Sequence, residues 1–526
     1  MHKRLILSLF VLLLCFPVNR LLSQGTQTKT GNDKPLRIEI PVHSTDETYR
    51  LVPVESNGLI LFFKSVETVN DTMTKWYFAL YDKDLKSKWI KSLPVRTGLE
   101  VRDYRVVNDT LTLLFLNTAK EKGILFKENI IKVDCISGMS TIYRLTSPEN
   151  AVPVRFEILR DLAYLGYNVK NETAHLQVID LKYGKAADYP LSAPGSSSLI
   201  TGFILDSING NVYTTIHKQI SKGHYTYYLQ KIEQPGTMLS ETEISTISPD
   251  YEILDPQLVL LKPDEILVLA TFGTPPRKGQ VRNGVTTGST GFFSCRIRNG
   301  VQTDIHFKPF VELSNIQNII DEKELLLLRK KSLKNNKSNT SYTPEWDLLP
   351  HPITNHNGQF IMLGESYVPE YHSENLTEFD FYGRPYINTY NVFDGYRYTH
   401  AIIAAFDNTG VIQWNNSLDI RNLISTELIP KVNLFFSSRD TIVLAYSSEG
   451  RIASKIIRGM DVVEKLDFSM IEQLNPEDKM LSESRNNMVP WYGPYFLCYG
   501  YQEIKNINSA ENKKRLVFYF TKVRFE

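Results

Sequence analysis

The chain is poor in cysteine and carries no strong charge bias. It has four cysteines in 526 residues, and their spacing matches neither a CxxC motif nor a Cys/His metal site. We expect Cys135, Cys295 and Cys498 to be buried free thiols, since a chain of this length can fold without a disulfide framework. The formal net charge of +1 gives no reason to expect affinity for nucleic acid or anionic membranes.

Motifs of nucleophilic and nucleotide chemistry are missing as well. The sequence contains no GxSxG, no Walker loop and no GxGxxG between a strand and a helix. We therefore assign no catalytic residue, cofactor or metal ligand from the sequence. No long segment repeats with the 3.6-residue period of a helix, which disfavours a parallel α/β fold.

Long apolar runs are absent beyond the N-terminus. Two basic residues precede the apolar residues 5–16, and a polar stretch follows, so we expect residues 1–23 to be a secretory signal peptide. This run is too short to span a bilayer, and no later segment has about 18 apolar residues, so no transmembrane segment is expected in the mature chain. Residues 24–33 are polar and are expected to form a disordered linker.

Apolar segments of period 2, separated by turn residues, recur along the rest of the chain and predict strands nearly throughout. One type, an apolar run after a polar turn, occurs eight times, and the first five copies have the roughly 50-residue spacing of four-stranded propeller blades. The runs are 58–64, 110–116, 162–167, 211–216, 265–271, 359–363, 441–446 and 495–499. We expect an all-β fold in which residues 34–526 form one β-propeller, with eight blades favoured and seven as the alternative. Evenly spaced repeats without Pro/Gly/Ser linkers favour this over several sandwich domains.

The two ends of the chain fit a closed ring. The last repeat, near residues 487–525, lacks an outer strand, whereas residues 35–42 form a strand left over before the first complete blade near Tyr49. We expect the N-terminal strand to pair with the C-terminal blade, because this covers an exposed sheet edge.

Two distant hairpins share the pattern aromatic–Asp–x6–Trp, with Asp82 and Trp89 in one and Asp407 and Trp414 in the other. Aspartate at the start of a hairpin accepts hydrogen bonds from the turn backbone, so we interpret both carboxylates as structural. The tryptophans are expected to pack between neighbouring blades.

The repeated unit resembles the blades of quinoprotein-like and WD-repeat-like propellers. Residues 395–418 (GYRYTHAIIAAFDNTGVIQWNNSL), with GESYVPEY before them, resemble uncharacterised secreted propeller proteins of Bacteroidetes-type bacteria. The signature is not repeated strictly, and no quinoprotein ligand set is matched. The resemblance therefore implies a propeller fold and an envelope location, but no activity. We expect an exported protein, in the periplasm or on the cell surface and associated with the outer membrane.

The repeat is interrupted at residues 272–289, 329–356 and 365–400, and departures from a regular scaffold are where function is expected. The first insertion is a Gly/Pro/Thr loop with basic residues, and the second begins with a basic run that is typical of a solvated loop. The third has ten aromatic residues in 36 positions, against 11% for the whole chain. Tyrosine suits recognition of a protein or a sugar, although these side chains could instead pack the insertion onto its own propeller.

The third insertion is the candidate binding surface. Its candidate residues are tyrosines, acids and one histidine: Tyr367, Glu370, Tyr371, His372, Asp380, Tyr382, Tyr386, Tyr390, Asp394 and Tyr396. Three more histidines, His351, His356 and His400, lie nearby, but their spacing matches no helical or hairpin ligand pair for a metal.

The function we predict is that of a non-enzymatic protein-binding or scaffold component of an outer-membrane-associated assembly. Its partner would be another envelope or outer-membrane protein. The alternative is a glycan-binding or glycan-cleaving propeller whose site lies on the face bearing the insertions at 272–289 and 365–400. A convergence of acids from different blades at a concave pocket would favour cleavage, and an exposed aromatic surface would favour binding.

Overall fold

The computed structural model describes residues 36–524 with internal gaps. The gaps are 44–46, 55–56, 118–125, 148–150, 171–172, 194–195, 222–223, 234–235, 247, 249, 275–287, 317–318, 321–322, 324, 328–329, 331–343, 437–439 and 507–513. The predicted signal peptide and linker lie outside the described residues. Most of the first insertion and of the basic run in the second also lie outside them.

The described residues form eight antiparallel sheets of four strands in chain order, with two short extra strands in the sixth. Strand β1 is Arg37–Pro41. Blade 1 contains β2 (Tyr49–Val54), β3 (Gly58–Asn70), β4 (Met73–Tyr81) and β5 (Ser87–Arg96), and blade 2 contains β6 (Leu99–Val107), β7 (Thr110–Asn117), β8 (Phe126–Asp134) and β9 (Ser140–Ser147). Blade 3 contains β10 (Ala151–Leu159), β11 (Leu162–Val169), β12 (Ala174–Asp180) and β13 (Lys185–Pro190), and blade 4 contains β14 (Ser198–Leu205), β15 (Val212–Ser221), β16 (His224–Glu233) and β17 (Thr237–Ile244).

The second half of the chain continues the same order. Blade 5 contains β18 (Glu252–Lys262), β19 (Glu265–Gly273), β20 (Gly291–Arg298) and β21 (Val301–Pro309), followed by a 3₁₀ turn at Phe310–Glu312. Blade 6 contains β22 (Leu348–Pro350), β23 (Thr354–His356), β24 (Gln359–Phe379), β25 (Pro385–Phe406), β26 (Ile412–Asp419) and β27 (Ile424–Ser425). Blade 7 contains β28 (Asn433–Phe436), β29 (Ile442–Ser448), β30 (Arg451–Arg458) and β31 (Asp461–Met470), and blade 8 contains β32 (Asp478–Pro490), β33 (Tyr495–Asn506), β34 (Lys514–Arg524) and the returning β1.

The chain is an eight-bladed β-propeller, which confirms the favoured fold prediction. Each of the eight apolar runs is the second strand of a blade, and this strand is buried on both faces because neighbouring blades cover it. Eight hydrophobic clusters each join one blade to the next around the ring, and the last of them joins blade 8 to blade 1. The core is therefore divided among the eight interfaces between blades.

The N-terminal strand closes the ring, as predicted. β1 pairs antiparallel with β34 along its whole length, from Arg37 opposite Thr521 to Pro41 opposite Val517. The Arg37 guanidinium is buried and donates to Glu39 at 2.8 Å and to the Gln502 side chain of blade 8 at 2.7 Å. Polar contacts as well as backbone pairing thus fasten the first strand to the last blade.

The two matched hairpins are the third and fourth strands of blades 1 and 6. The Asp82 carboxylate accepts two backbone N–H bonds of its turn at 2.9 Å, and Asp407 accepts two at 2.8 and 3.0 Å. The Trp89 indole donates to the carbonyl of Cys135 in blade 2 at 3.1 Å, and Trp414 packs against the last hairpin of blade 7. The structural interpretation of both residue pairs is confirmed.

The described ends of all three interruptions of the repeat lie on one face of the ring, here called the entry face, at which the inner strands begin. Successive strands of a blade are antiparallel, so this face carries the turns between second and third strands and the connections between blades. The ends flanking the first insertion, Gly273 and Gly291, lie there, and so does the long hairpin of β24 and β25. Residues 348–356, which the sequence placed in the second insertion, form the split inner strand of blade 6.

Candidate functional site

The third insertion is a continuation of two strands of blade 6. β24 and β25 run on past the blade as a two-stranded hairpin, residues 367–398, here called the ribbon. At about 3.3 Å per residue its 13-residue first strand spans about 40 Å. Asp380 holds the turn at its tip, because its carboxylate accepts the backbone N–H groups of Tyr382 and Arg384 at 2.8 and 2.9 Å.

One face of the ribbon is apolar at both ends. Tyr371 pairs with Phe393 near the base, with ring centroids 5.4 Å apart, and Phe379 and Ile387 lie on the same face near the tip. All four side chains are exposed, and Phe381 in the turn is 98% exposed. Seven of the ten exposed Phe and Tyr side chains in the described part of the chain lie on the ribbon. Because these side chains are exposed, the aromatic residues beyond the base do not serve to pack the insertion onto the ring.

The opposite face of the ribbon is acidic. The Glu378 carboxylate accepts hydrogen bonds from the hydroxyls of Tyr386, at 2.7 Å, and Tyr390, and these bonds hold its pKa below the ordinary value. The imidazole of His372 lies 2.6 Å from Asp394 and 3.3 Å from Glu374. The hydrogen bond with Asp394, followed by that with Glu374, raises the pKa of His372.

The base of the ribbon is tied firmly to the ring. Tyr398 is buried and donates its hydroxyl to the carbonyl of Ile429 at 2.6 Å. The fully buried Glu365, just before the ribbon, accepts the backbone N–H groups of Lys431 and Val432 of blade 7 at 2.8 and 2.7 Å. His351 lies 2.5 Å from the same carboxylate. The ribbon therefore projects from a rigid junction of blades 6 and 7.

The structure brings the predicted binding residues together on this one element. Tyr367 and Tyr396 pack edge to face at the base, with centroids 5.6 Å apart, and Glu370 forms an ion pair with Arg397 at 3.4 Å. The exposed members along the ribbon and its tip are Tyr371, His372, Asp380, Tyr382, Tyr386 and Tyr390. Asp394 stands in a bulge of β25, with its carboxylate against His372.

The four histidines are in four different settings. His351 contacts Glu365, His372 belongs to the ribbon, and the ring of His356 stacks on Phe436 with centroids 3.9 Å apart. His400 is buried beside Trp346, and burial lowers its pKa to about 4. Across the part of the chain that the structure describes, no three His, Cys, Asp or Glu side chains are grouped so as to hold a metal ion.

A second feature of the entry face was not predicted from the sequence. A cavity of about 1070 Å³ lies between the inner strands of blades 8, 1 and 2 and residues 424–431, which begin with β27. The cavity adjoins the ribbon, because β27 pairs with Tyr396 and Arg397 at the ribbon base.

Basic and aromatic side chains line this cavity. The basic residues are Arg50, Arg102, Lys431 and Arg485, one from each of four blades or their connections. Among the residues that the structure describes, no carboxylate lies within 4.0 Å of the three guanidinium groups. Tyr104 and Tyr499 form part of the wall, and burial raises the pKa of both phenols.

Two acidic residues line the same cavity. Glu483 is occupied, because its carboxylate accepts hydrogen bonds from the Gln502 amide, the Tyr519 hydroxyl and the backbone N–H of Gly450 at 2.8 to 2.9 Å. Glu427 is exposed at the rim. Hydrolysis of a glycosidic bond normally needs two carboxyl groups free to act on it, so this wall is better suited to binding than to hydrolysis.

Sequence reasoning missed the cavity because its residues are far apart in the chain. Arg50 and Arg485 are separated by more than 400 positions and meet only through closure of the ring. One available signal was the presence of arginine in the inner strands of three blades that become neighbours, at YRLV, VRDY and SRNN.

Within the described residues, no helix has the length and apolar character needed to cross a membrane.

No protein-family model matches the chain, and no curated protein matches it. Solved structures with similar folds include the polysaccharide lyase Uly1, with 9% identity, a TM-score of 0.38 and coverage of 80% of this chain and 89% of that one. The β-propeller domain of the Trilobed protease from Pyrococcus furiosus has 8% identity, a TM-score of 0.35 and coverage of 80% and 98%. An oligogalacturonate lyase in complex with manganese has 9% identity, a TM-score of 0.35 and coverage of 93% and 98%. Likenesses this distant identify no activity for this chain.

Proposed function

We propose that this propeller is an exported, non-enzymatic binding or scaffold component of an outer-membrane-associated assembly, and that its ribbon docks on a partner protein of that assembly. The observation that carries the proposal is the ribbon itself, which places seven exposed aromatic side chains on a two-stranded projection from the ring.

The shape of the ribbon favours a protein over a small ligand. Small molecules are bound in concave sites that surround most of their surface, whereas the ribbon is convex along about 40 Å. Phe379, Phe381 and Ile387 form an apolar tip that is poorly suited to water. Exposed apolar surface of this kind is a common mark of protein–protein contact.

The ribbon also has unfilled hydrogen-bonding capacity along its backbone. Between Tyr371 and Phe393 its two strands pair with each other, and neither has a further strand beside it in the described sheet. A lone two-stranded hairpin is only marginally stable in water. A partner that added a strand or covered the apolar face would stabilise it.

The first prediction concerns removal of the ribbon. Residues 371–394 would be replaced by Asn-Gly, which joins the paired residues Glu370 and Gly395 by a two-residue hairpin turn. The intact tagged chain, purified from the envelope of its own organism, is expected to recover a partner that the shortened chain does not recover. Cross-linking before lysis and mass spectrometry identify the partner.

A finer comparison uses point variants. The triple variant Phe379→Ser, Phe381→Ser, Ile387→Ser is expected to lower partner recovery by about tenfold or more, because it removes the apolar tip and leaves the ring unchanged. Val411→Ser is the matched control, since Val411 is an exposed apolar residue in a turn at the opposite face of blade 6. Equal recovery by the intact and shortened chains, or recovery of the intact chain alone, would contradict the proposal.

A second candidate function, binding of a glycan at the entry face, is favoured by the basic and aromatic cavity beside the ribbon base. Hydrolysis of the glycan is less well supported, because the Glu483 carboxylate, one of the two that line the cavity, is engaged by three hydrogen bonds.

A further inference from the structure

We propose that the cavity between blades 8, 1 and 2 binds an anionic saccharide, whose acidic groups are held by Arg50, Arg102 and Arg485. The shared chemistry is a sugar ring bearing a carboxylate or a phosphate. This inference gives a ligand class to the second candidate function, and it does not depend on docking by the ribbon.

The charge of the cavity is the first reason. Four basic side chains line it against two acidic ones, and Glu483 is already engaged by three hydrogen-bond donors of the ring. The Lys431 ammonium is buried and donates to the carbonyl of Asn486 at 3.1 Å, which leaves the arginines as the accessible cations. Guanidinium groups bind carboxylate and phosphate with paired hydrogen bonds, so they suit such a ligand better than lysines do.

The placement of the arginines on bulged inner strands is the second reason. Arg102 is the extra residue of a bulge in β6, because Val101 and Asp103 pair with consecutive residues of β7. Arg485 lies in a bulge of β32 with a φ of 49°. Bulges redirect side chains, and a left-handed backbone at a non-glycine residue is a strain that functional sites often contain.

The structure supports the second bulge with a glycine. A Cβ on Gly500, in the neighbouring strand, would lie 2.8 Å from the Cα of Asn486. The bulge therefore needs glycine at this position of β33, and it holds Arg485 over the ring of Tyr501 at 5.9 Å.

The aromatic wall is the third reason. Tyr104 and Tyr499 line the cavity together, and each experiences the positive charge of Arg50. Tyrosine offers a flat apolar surface with a polar hydroxyl, which matches the alternating apolar and hydroxyl surfaces of a sugar ring. A bare inorganic anion would leave this wall unused, so the combination favours a charged saccharide.

The test is a binding titration by calorimetry with the chain from residue 24 onward at low ionic strength. Three probes are compared: a trisaccharide of hexuronic acid, glucose 6-phosphate, and a neutral glucose trisaccharide of the same length. The uronate probe, the sugar phosphate or both are expected to bind, and the neutral probe at least tenfold more weakly. The relative affinities of the two charged probes distinguish carboxylate from phosphate as the natural acidic group.

Variants locate the binding. Arg50→Gln and Arg102→Gln are each expected to weaken binding by about tenfold or more, since each removes a charge-assisted contact. Arg458→Gln is the control, because Arg458 is exposed at a turn of blade 7 on the opposite face. Circular dichroism and thermal unfolding check that each variant keeps its fold.

Binding of none of the three probes would overturn the inference, and so would equal binding of the neutral and charged probes. Affinities unchanged by both arginine substitutions would place the ligand elsewhere and overturn it too. The chain lacking residues 371–394 is expected to bind the charged probe as the intact chain does. Failure of this site and failure of ribbon docking are therefore separate results.

Discussion

Individual histidines show how position decides the charge of a residue type. His372 on the ribbon is exposed and paired with carboxylates, which raises its pKa, whereas His400 is buried beside Trp346, which lowers its pKa to about 4. The carboxylates therefore favour the charged form of His372, whereas His400 stays uncharged near neutral pH.

The titration of His372 is a prediction at this scale. Its folded pKa is raised, so the order that the protonated imidazole gives to the ribbon is fully present below the ordinary value of about 6.5. That contribution is lost as the pH rises through the raised pKa. NMR titration of the His372 ring protons is expected to give a pKa above about 6.5, and Asp394→Asn is expected to lower it. An ordinary value that the substitution leaves unchanged would show that the two side chains do not interact in solution.

His400 gives the opposite dependence on pH. Its folded pKa is depressed, so its contribution to stability is present above about pH 6.5 and is lost as the pH falls toward 4, by up to roughly 3 kcal/mol. The free energy of unfolding, measured by urea titration at pH 7 and pH 5, is expected to fall less between these values in His400→Gln than in the unchanged chain. An identical fall in both chains would contradict the prediction.

The roles of residues in local turns and strand contacts could be predicted from the sequence, whereas the roles of residues that line the central cavity could not. The turn role of Asp82 and the packing of Trp89 follow from patterns within ten positions, and both are confirmed. The exposure of Arg102 and Arg485 in the cavity depends on bulges and on the register of the inner strands. A single residue more or less in a strand changes which face a side chain occupies, and the sequence shows no mark of such a shift.

Among the elements, the second strands were predictable and the inner strands were not. The second strands are continuous apolar runs because neighbouring blades cover both of their faces. The inner strands line the centre of the ring, and part of their surface faces water there. The composition of the sequence singled out the segment that forms the ribbon, but it did not predict that this segment is an extended hairpin. Its tyrosines fit a folded insertion and an exposed hairpin equally well until the pairing of Tyr371 with Phe393 is known.

The closing strand β1 provides a prediction at the scale of an element. Arg37 and Glu39 form a buried ion pair, with both side chains almost inaccessible to solvent. Arg37→Met is expected to lower the free energy of unfolding by about 3–5 kcal/mol, because it leaves the Glu39 carboxylate buried with less compensation. Chemical denaturation measures the change. The double variant Arg37→Met, Glu39→Met is the control and is expected to recover much of the loss. Equal losses in the two variants would indicate that the pair itself is not the cause.

At the scale of the whole molecule, the ring is a set of eight similar interfaces with no single central core. Three of the blades, 2, 5 and 8, each contain one buried free cysteine: Cys135, Cys295 and Cys498. Burial raises the pKa of all three thiols, to about 12 for Cys135 and Cys295. These thiols are natural reporters of the integrity of widely separated parts of the ring.

The thiols are expected to be unreactive toward a thiol-specific reagent at pH 8 in the folded chain. As denaturant unfolds the chain, all three are expected to become reactive together. Since each interface is covered by the next, loss of one blade exposes its neighbours, and unfolding should spread around the ring. Single-cysteine variants, with the other two residues changed to serine, are expected to show the same denaturant midpoint. Three distinct midpoints would show that the blades unfold independently.

The pairing of β1 with β34 has a consequence for the order of events in folding. Arg37 and Thr521 are among the first and last residues of the propeller, so their contact requires nearly the whole chain to be present. Blades 1 to 7 can each form from contiguous sequence. Blade 8 remains a three-stranded sheet until β1, the first strand to be synthesised, pairs with it. That strand must stay unpaired throughout synthesis, and long-range contacts of this kind form slowly. The interval before closure is the period in which the open edge of β34 is most exposed to pairing with another molecule.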